Sequence, residues 1–445
     1  IDLAGVANEG DPAVTTTLTY DFIVPADASP NTEWVNTAAV SSFVSPTNTG
    51  TDFTSYPAND FDPGNPAANT DEARDPSDVQ TGDLVLAKAR TTEINEPGNG
   101  AARATIGEEI TYTIELSVPQ GSTLFAPVAL TDTLGPRVDY LPGSATLSVD
   151  TDDDGNPDVI PGNVALQNDA TMDASNVIEL VVTGNYVNAS GSGDDTFTIT
   201  YDAQVNDVPA NLRNGSGGGS AYVNDVDLGY RNASGGDLSA SASASARIVE
   251  PNLVLAKAHD QVPAQISPQE TVRYRLTLTN PADADGNGNS GNDYVSTAHD
   301  VQVIDTLPIG MFPVDGSGSA LSVGDCTNPG GGLAPCVGSG EYLGTTGPAG
   351  AAQIRFDVTS IAPDASVDLR YDVKLVEAIA GTSIVNAAAA TATSLPDPED
   401  NEGERTSTSI DGSSDPYAGY ADAAGTSLEL DDPTSTKSVD PSNAT

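Results

Sequence analysis

Basic side chains are scarce: 16 lysines and arginines stand against 64 aspartates and glutamates in 445 residues, a formal net charge of −48. A surface of that sign repels nucleic acid phosphates and anionic lipid headgroups, and no basic patch offsets it, which excludes nucleic acid as a partner. Apolar runs are short, and none approaches the roughly 18–20 residues of a membrane span. The opening IDLAGVANEG has neither a basic start nor an apolar stretch. The chain is therefore expected to be soluble as given, with any signal or anchor outside it or removed. Histidine is nearly absent: His259 and His299 sit in separate segments, HDQV and AHDV, without a nucleophile elbow or metal spacing, and read as surface residues. No GxxxxGK or GxGxxG lies between a strand and a helix. An enzyme is not expected.

Cysteine occurs twice, at Cys326 and Cys336, flanking TNPGGGLAP, whose glycines and prolines let the two thiols meet. A disulfide fits better than a zinc site, for which further ligands are missing, and it implies an oxidising compartment. Two free buried thiols are the alternative.

What the sequence has is repetition. LVLAKA stands at Leu84 to Ala89 and again at Leu253 to Ala258. An alternating segment ending in Tyr-Asp occurs three times, around Tyr20, Tyr201 and Tyr371, and each is followed by a segment with an asparagine, Asn36, Asn224 and Asn386. VALTDTL at Asp132 and VQVIDTLP at Asp305 fall between the lysine and tyrosine segments. Within these pieces the period is two: Ile110, Tyr112, Ile114, Leu116 and Val118 alternate with polar residues, as do Val272, Tyr274, Leu276 and Leu278. Such alternation predicts half-buried strands, and no stretch of ten residues has a helical period. The fold class is all-β, a tandem array of immunoglobulin-like β-sandwich modules. Thr47 to Gly82 and Pro396 to Asp422 read as linkers.

The expected boundaries are 1–79 for the C-terminal half of a module plus linker, 80–249 and 250–429 for two full modules, and 430–445 for the opening strand of another. Both ends thus look broken: Asn36 has no lysine strand before it, and Lys437 has no asparagine strand after it. A longer chain of further repeats explains this. The rival is strand exchange with other copies of the protein, pairing Lys437 of one with Asn36 of the next.

Strand phase gives the polar residues of the repeat their interest. Lys88 shares a face with Leu84 and Leu86, and Lys257 with Leu253 and Leu255. Asp132 shares one with Val128 and Leu130, Asp305 with Val301 and Val303, Asn224 with Tyr222 and Val226, and Asn386 with Ile384 and Ala388. Each full module directs one Lys, one Asp and one Asn inward. Buried charge must be paired, so one reading is a structural ion pair hydrogen-bonded to the amide. The other is chemistry: burial lowers a lysine pKa and raises that of an aspartic acid, giving a neutral amine nucleophile beside a protonated acid. The tyrosines recur in register and read as core.

LVLAKA, the YTIEL or YRLTL strand, TDTLG or IDTLP and the closing VN strand together resemble the bacterial surface repeat called domain of unknown function eleven, related in pattern to isopeptide-forming domains of pilins and adhesins. The resemblance implies a Lys–Asn isopeptide bond between first and last strands with an acidic catalyst, carried by Lys88, Asp132 and Asn224 and by Lys257, Asp305 and Asn386. CTNPGGGLAPC also resembles a cysteine pair common in such repeats. TDTLGP in place of TDTLP and the long insertions depart from the pattern.

DTDDDGNPD places Asp150, Asp152, Asp154, the Asn156 carbonyl and Asp158 at positions one, three, five, seven and nine of a calcium-loop spacing, with Gly155 at six and Pro161 where a glutamate would close the set. Calcium in a strand-connecting loop is expected; an acidic, solvated hairpin is the alternative. DADGNGNSGND, with Asp283, Asp285 and Asp293, is a weaker candidate. The sequence as a whole reads as a structural protein of a bacterial cell surface or the extracellular space, a stalk, fibre or adhesin shaft whose partners are further repeats or copies of itself. A ligand-binding adhesin module, lectin-like or protein-binding, and a non-catalytic appendage of a secreted enzyme are the other readings.

Overall fold

The computed structural model describes residues 19–21, 23, 25, 28–39, 42–46, 53–57, 74–189, 193–211, 221–261, 265–282, 294–314, 322–327, 333–335, 338–376, 383–396, 403–406 and 419–430. The alternating segments are strands, because a period of two sends every second side chain to one face. All five apolar residues expected inside Glu109–Val118 are buried, and so are all four of Thr271–Thr279.

The fold is all-β and is built as two sandwiches, each with its own apolar core. In the first, one sheet runs Thr146–Asp150, Asp195–Val205, Glu109–Val118, Val85–Thr92. The facing sheet runs Val164–Leu166, Val177–Val182, Thr123–Thr133, Ala221–Arg231, Asp237–Val249, Arg103–Thr105. The second sandwich repeats the plan. Val254–His259, Thr271–Thr279 and Ser366–Leu375 form the counterpart of the first sheet, and Ala298–Thr306, Ser383–Thr393 and Ala421–Leu430 lie at the centre of the other. Pairing is antiparallel except where the short strands Arg103–Thr105 and Gln265–Ile266 add parallel to the strand closing each sandwich.

Three features differ from the sequence reading. A short helix, Asp169–Ser175, is capped by Asn168, whose side chain accepts from the Thr171 amide, and ends on Asn176 in the left-handed conformation. Seven residues carry too few turns to register as a period. The span read as the first linker contains two strands, Arg74–Gln80, paired with Glu33–Ala39, and Phe53–Pro57, paired with Ser42–Pro46 just before it.

The third difference is the junction between the sandwiches. His299, expected at the surface, is buried, with Nε2 2.9 Å from Glu96 Oε1 of the first sandwich. Arg405, in the span read as the second linker, is also buried: Nη1 donates to Glu250 Oε1 at 3.0 Å, and the guanidinium lies 5.1 Å from the Tyr420 ring centroid. Thr297 Oγ1 donates to the Pro97 carbonyl at 3.1 Å. Gly98 has φ +84, and a Cβ there would collide with the Val295 carbonyl and approach Pro363 Cγ to 2.7 Å. A glycine is required because two backbones meet. The hydrogen bonds of Thr297, His299 and Arg405 join residues 155 to 203 positions apart, so local periodicity gave no sign of them.

Candidate functional site

In the first sandwich, Lys88 on Val85–Thr92 and Tyr201 on Asp195–Val205 belong to one sheet, on either side of Glu109–Val118. Asp132 on Thr123–Thr133 and Asn224 on Ala221–Arg231 belong to neighbouring strands of the facing sheet. Each points inward by the phase of its strand, and the four side chains meet across the interior. The Lys88 ammonium and the Asp132 carboxylate form a salt bridge through Oδ2 with both side chains wholly shielded from solvent. Tyr201 OH donates to the same Oδ2 at 2.5 Å, and Asn224 Nδ2 donates to Tyr201 OH at 2.8 Å.

The second sandwich reproduces this atom for atom. Lys257 Nζ lies 2.5 Å from Asp305 Oδ2, Tyr371 OH donates to that oxygen, and Asn386 Nδ2 donates to Tyr371 OH at 3.0 Å. The floor is the same too. Tyr112 stacks on Tyr201 with centroids 5.3 Å apart, and Tyr274 on Tyr371 at 5.5 Å. The lysine ammonium groups sit 5.0 and 5.2 Å from the Tyr112 and Tyr274 centroids. Two sites this alike, in sandwiches of diverged sequence, are set by the shared strand register.

Burial governs the electrostatics. It pushes the lysine pKa values down against the pull of the aspartates, that of Lys257 to about 8. Burial likewise raises the carboxyls of Asp132 and Asp305 against the opposing pull of the lysines. Tyr201 and Tyr371 are pushed well above the usual phenol range by burial and then by the neighbouring carboxylates. Both shifts in each Lys–Asp pair move toward the neutral amine and the protonated acid.

All six residues expected from the sequence are therefore brought together, three in each sandwich. Tyr201 and Tyr371 were missed as participants: they are core residues, as expected, but their hydroxyls join acid to amide, whereas Tyr20, also expected in a core, is exposed. Their recurrence at one register, three times over, was the available signal, since a buried tyrosine hydroxyl needs a partner. Asn36 differs. It donates to Tyr20 OH, repeating the Asn–Tyr contact, yet both residues are exposed, because neither a lysine nor an aspartate strand covers them among the described residues. Lys437 lies outside the described residues, as do Asp283, Asp285, Asp293 and Cys336; of Cys326 only the strand backbone, Ser322–Thr327, is described.

In the acidic loop, carboxylate oxygens of Asp150, Asp152 and Asp158 all lie within 4.8 Å of one another. Asp154 turns aside to accept from the Asn156 amide at 2.8 Å and Nδ2 at 3.0 Å. Gly155, with φ +81, makes the turn, and its amide donates to Asp150 at 2.8 Å. Beside the loop Asp195 is buried and accepts from Tyr186 OH at 2.5 Å. Burial, then the charges of Asp194, Asp150 and Asp158, raise its pKa to about 6 against the Tyr186 hydrogen bond. Thr151, Asn163, Asn185, Tyr186 and Asp195 line a cleft of about 470 Å³ there.

No family model matches this sequence, and no curated protein matches it. The resemblance to the domain-of-unknown-function-eleven repeats thus has no family match behind it. Among solved structures, the chain is similar to BspA_C_WT at 12% identity and a TM-score of 0.36, over 72% of this chain and 97% of that one. It is similar to the C-terminal domain of the Streptococcus pyogenes antigen I/II-family protein AspA at 10% identity and a TM-score of 0.35, over 70% and 96%. The major pilin subunit BcpA of Bacillus cereus shares 10% identity at a TM-score of 0.30, over 84% and 72%. No helix among the described residues is long and apolar enough to cross a membrane.

Proposed function

We propose that the chain is a load-bearing structural protein of a cell surface or the extracellular space, its sandwiches strung as a shaft and each locked by a self-formed isopeptide bond, Lys88 to Asn224 and Lys257 to Asn386. The carrying observation is the buried Lys–Asp–Tyr–Asn set, present twice with the same hydrogen bonds. A buried ion pair alone is an expensive way to hold a core, since apolar residues of the same size serve as well or better. A buried neutral amine beside a protonated carboxyl is a nucleophile beside an acid. Lysine lies on the opening strand and asparagine on the strand before the closing one, so a bond between them spans most of each sandwich. Asp132 and Asp305 polarise the amide carbonyl and move protons while ammonia leaves.

The test is peptide mapping of wild type and Asp132→Ala. The branched peptide containing Lys88 and Asn224 disappears in the variant, while the one containing Lys257 and Asn386 persists. Branched peptides from the first sandwich surviving in Asp132→Ala would remove the aspartate from the reaction.

Calcium belongs to the same proposal. Asp150, Asp152 and Asp158 gather at one turn beside the crowded Asp195, and a divalent cation would relieve their repulsion. Chelator is expected to lower the melting temperature by roughly 2–4 °C, as about 1 kcal/mol does in a unit of this size. Asp152→Ala combined with Asp158→Ala abolishes that difference; identical melting curves with and without chelator in wild type contradict it.

A further inference from the structure

We propose that Tyr201 and Tyr371 are catalytic residues of the two cross-linking reactions, relaying a proton from the aspartic acid to the departing asparagine nitrogen. This inference rests on the isopeptide reading above. In each sandwich the tyrosine hydroxyl is the link between acid and amide: it touches Asp Oδ2 on one side and Asn Nδ2 on the other. Nδ2 is the atom that must leave as ammonia, and an amide nitrogen departs only once it is protonated. The lysine amine contacts the same aspartate oxygen, so the order amine, acid, hydroxyl, amide nitrogen is continuous. Both tyrosines are at most 1% exposed, which leaves the proton a route through side chains rather than bulk solvent.

The step balances without any further reactant. The lone pair of neutral Lys88 Nζ attacks Asn224 Cγ, and the Nζ–Cγ bond forms. One proton passes from Nζ to Asp132, one from Asp132 to the Tyr201 oxygen, and the proton of Tyr201 OH to Nδ2. The Cγ–Nδ2 bond then breaks, its electron pair leaving with ammonia. Asp132 and Tyr201 end in the state in which they began, and the same holds for Lys257, Asp305, Tyr371 and Asn386. Giving and taking occur together because the buried phenol resists ionisation: its pKa stands well above the usual range, so a free phenolate is not an intermediate. The exposed Asn36–Tyr20 contact repeats the hydroxyl–amide pair outside the two sandwiches.

The experiment follows cross-linking by peptide mapping from minutes to days after cell-free synthesis of the full chain. It compares wild type, Tyr201→Phe and Ile199→Val. Phenylalanine keeps the stacked ring and removes the hydroxyl. Ile199, buried two residues away on the same face of the strand, reports what a thinned core does by itself. The Lys88–Asn224 peptide is expected to form about 10²–10⁴-fold more slowly in Tyr201→Phe, the usual size of a lost general acid. It forms at the wild-type rate in Ile199→Val, and the Lys257–Asn386 peptide forms at the wild-type rate in all three. Equal slowing in Tyr201→Phe and Ile199→Val would reduce the tyrosine to a packing role and overturn the proposal, as would an unslowed Tyr201→Phe. A wild-type chain lacking both branched peptides would overturn the linkage itself, and the relay with it, so the two failures are told apart in the wild-type sample.

Discussion

Pulled from its ends, the first sandwich is expected to lengthen far less in the native chain than in Lys88→Ala. The proposed isopeptide bond from Lys88 to Asn224 would shunt force past the segment between them, roughly 135 residues that then stay slack. In the variant those residues join the stretched chain and add a step of roughly 450 Å, at about 3.4 Å per extended residue. Single-molecule extension reads this directly, with the second sandwich as internal reference through its own proposed bond from Lys257 to Asn386. The same tie closes a loop in the unfolded state. By analogy with a disulfide of that span, its loss costs about 4–5 kcal/mol of stability. Extension steps of equal length in wild type and variant would mean that the lysine carries no load.

The second large effect is a pH dependence that appears only when the bond is prevented. In Asn386→Ala the Lys257 amine stays free, with its folded pKa at about 8 against 10.5 for an ordinary lysine. The folded state then binds fewer protons than the unfolded state between those values, so stability rises with pH across the window and falls again as pH drops toward 8. Below pH 8 the lysine contribution is constant. The swing is on the order of 3 kcal/mol, from 1.36 kcal/mol per pKa unit. Asp305 has its carboxyl raised by burial, so its own contribution runs the other way, declining as pH climbs from the ordinary carboxylate range to its folded value. Its sign keeps the two separable. With the bond formed the lysine would be an amide that does not titrate, so native denaturant midpoints are expected to be flat between pH 8 and 9; nearer pH 10 the raised Tyr371 phenol lowers stability in native protein and variant alike. A rise of the same size in native protein and Asn386→Ala would show that Lys257 is free in both.

The lysine, aspartate and asparagine of each site were legible because they interrupt an apolar face. In an alternating strand the phase is fixed by its neighbours, so a polar residue in phase with Leu84 and Leu86, or with Val301 and Val303, has to point into the core. Tyr201 and Tyr371 carried no such contradiction, since tyrosine is at home in a core. What mattered was the hydroxyl, and its partner lies on the opposite sheet. The junction was illegible for a related reason: His299 meets Glu96, and Arg405 meets Glu250, across separations that no periodicity spans. The calcium spacing was half legible. Asp150, Asp152 and Asp158 converge as a loop of that spacing suggests, whereas Asp154 is drawn off by the Asn156 amide two residues on, a local competition typical of short acidic side chains.

The central claim is that each sandwich closes a bond between lysine and asparagine, and the intact mass of the purified, reduced chain tests it most directly. Each bond expels one ammonia and changes nothing else in the composition. The account predicts a chain lighter than its sequence by two ammonia molecules, and by only one in Lys88→Ala once the substitution is allowed for. A native mass equal to that of the sequence would contradict it, leaving Lys88 with Asp132 and Lys257 with Asp305 as buried ion pairs.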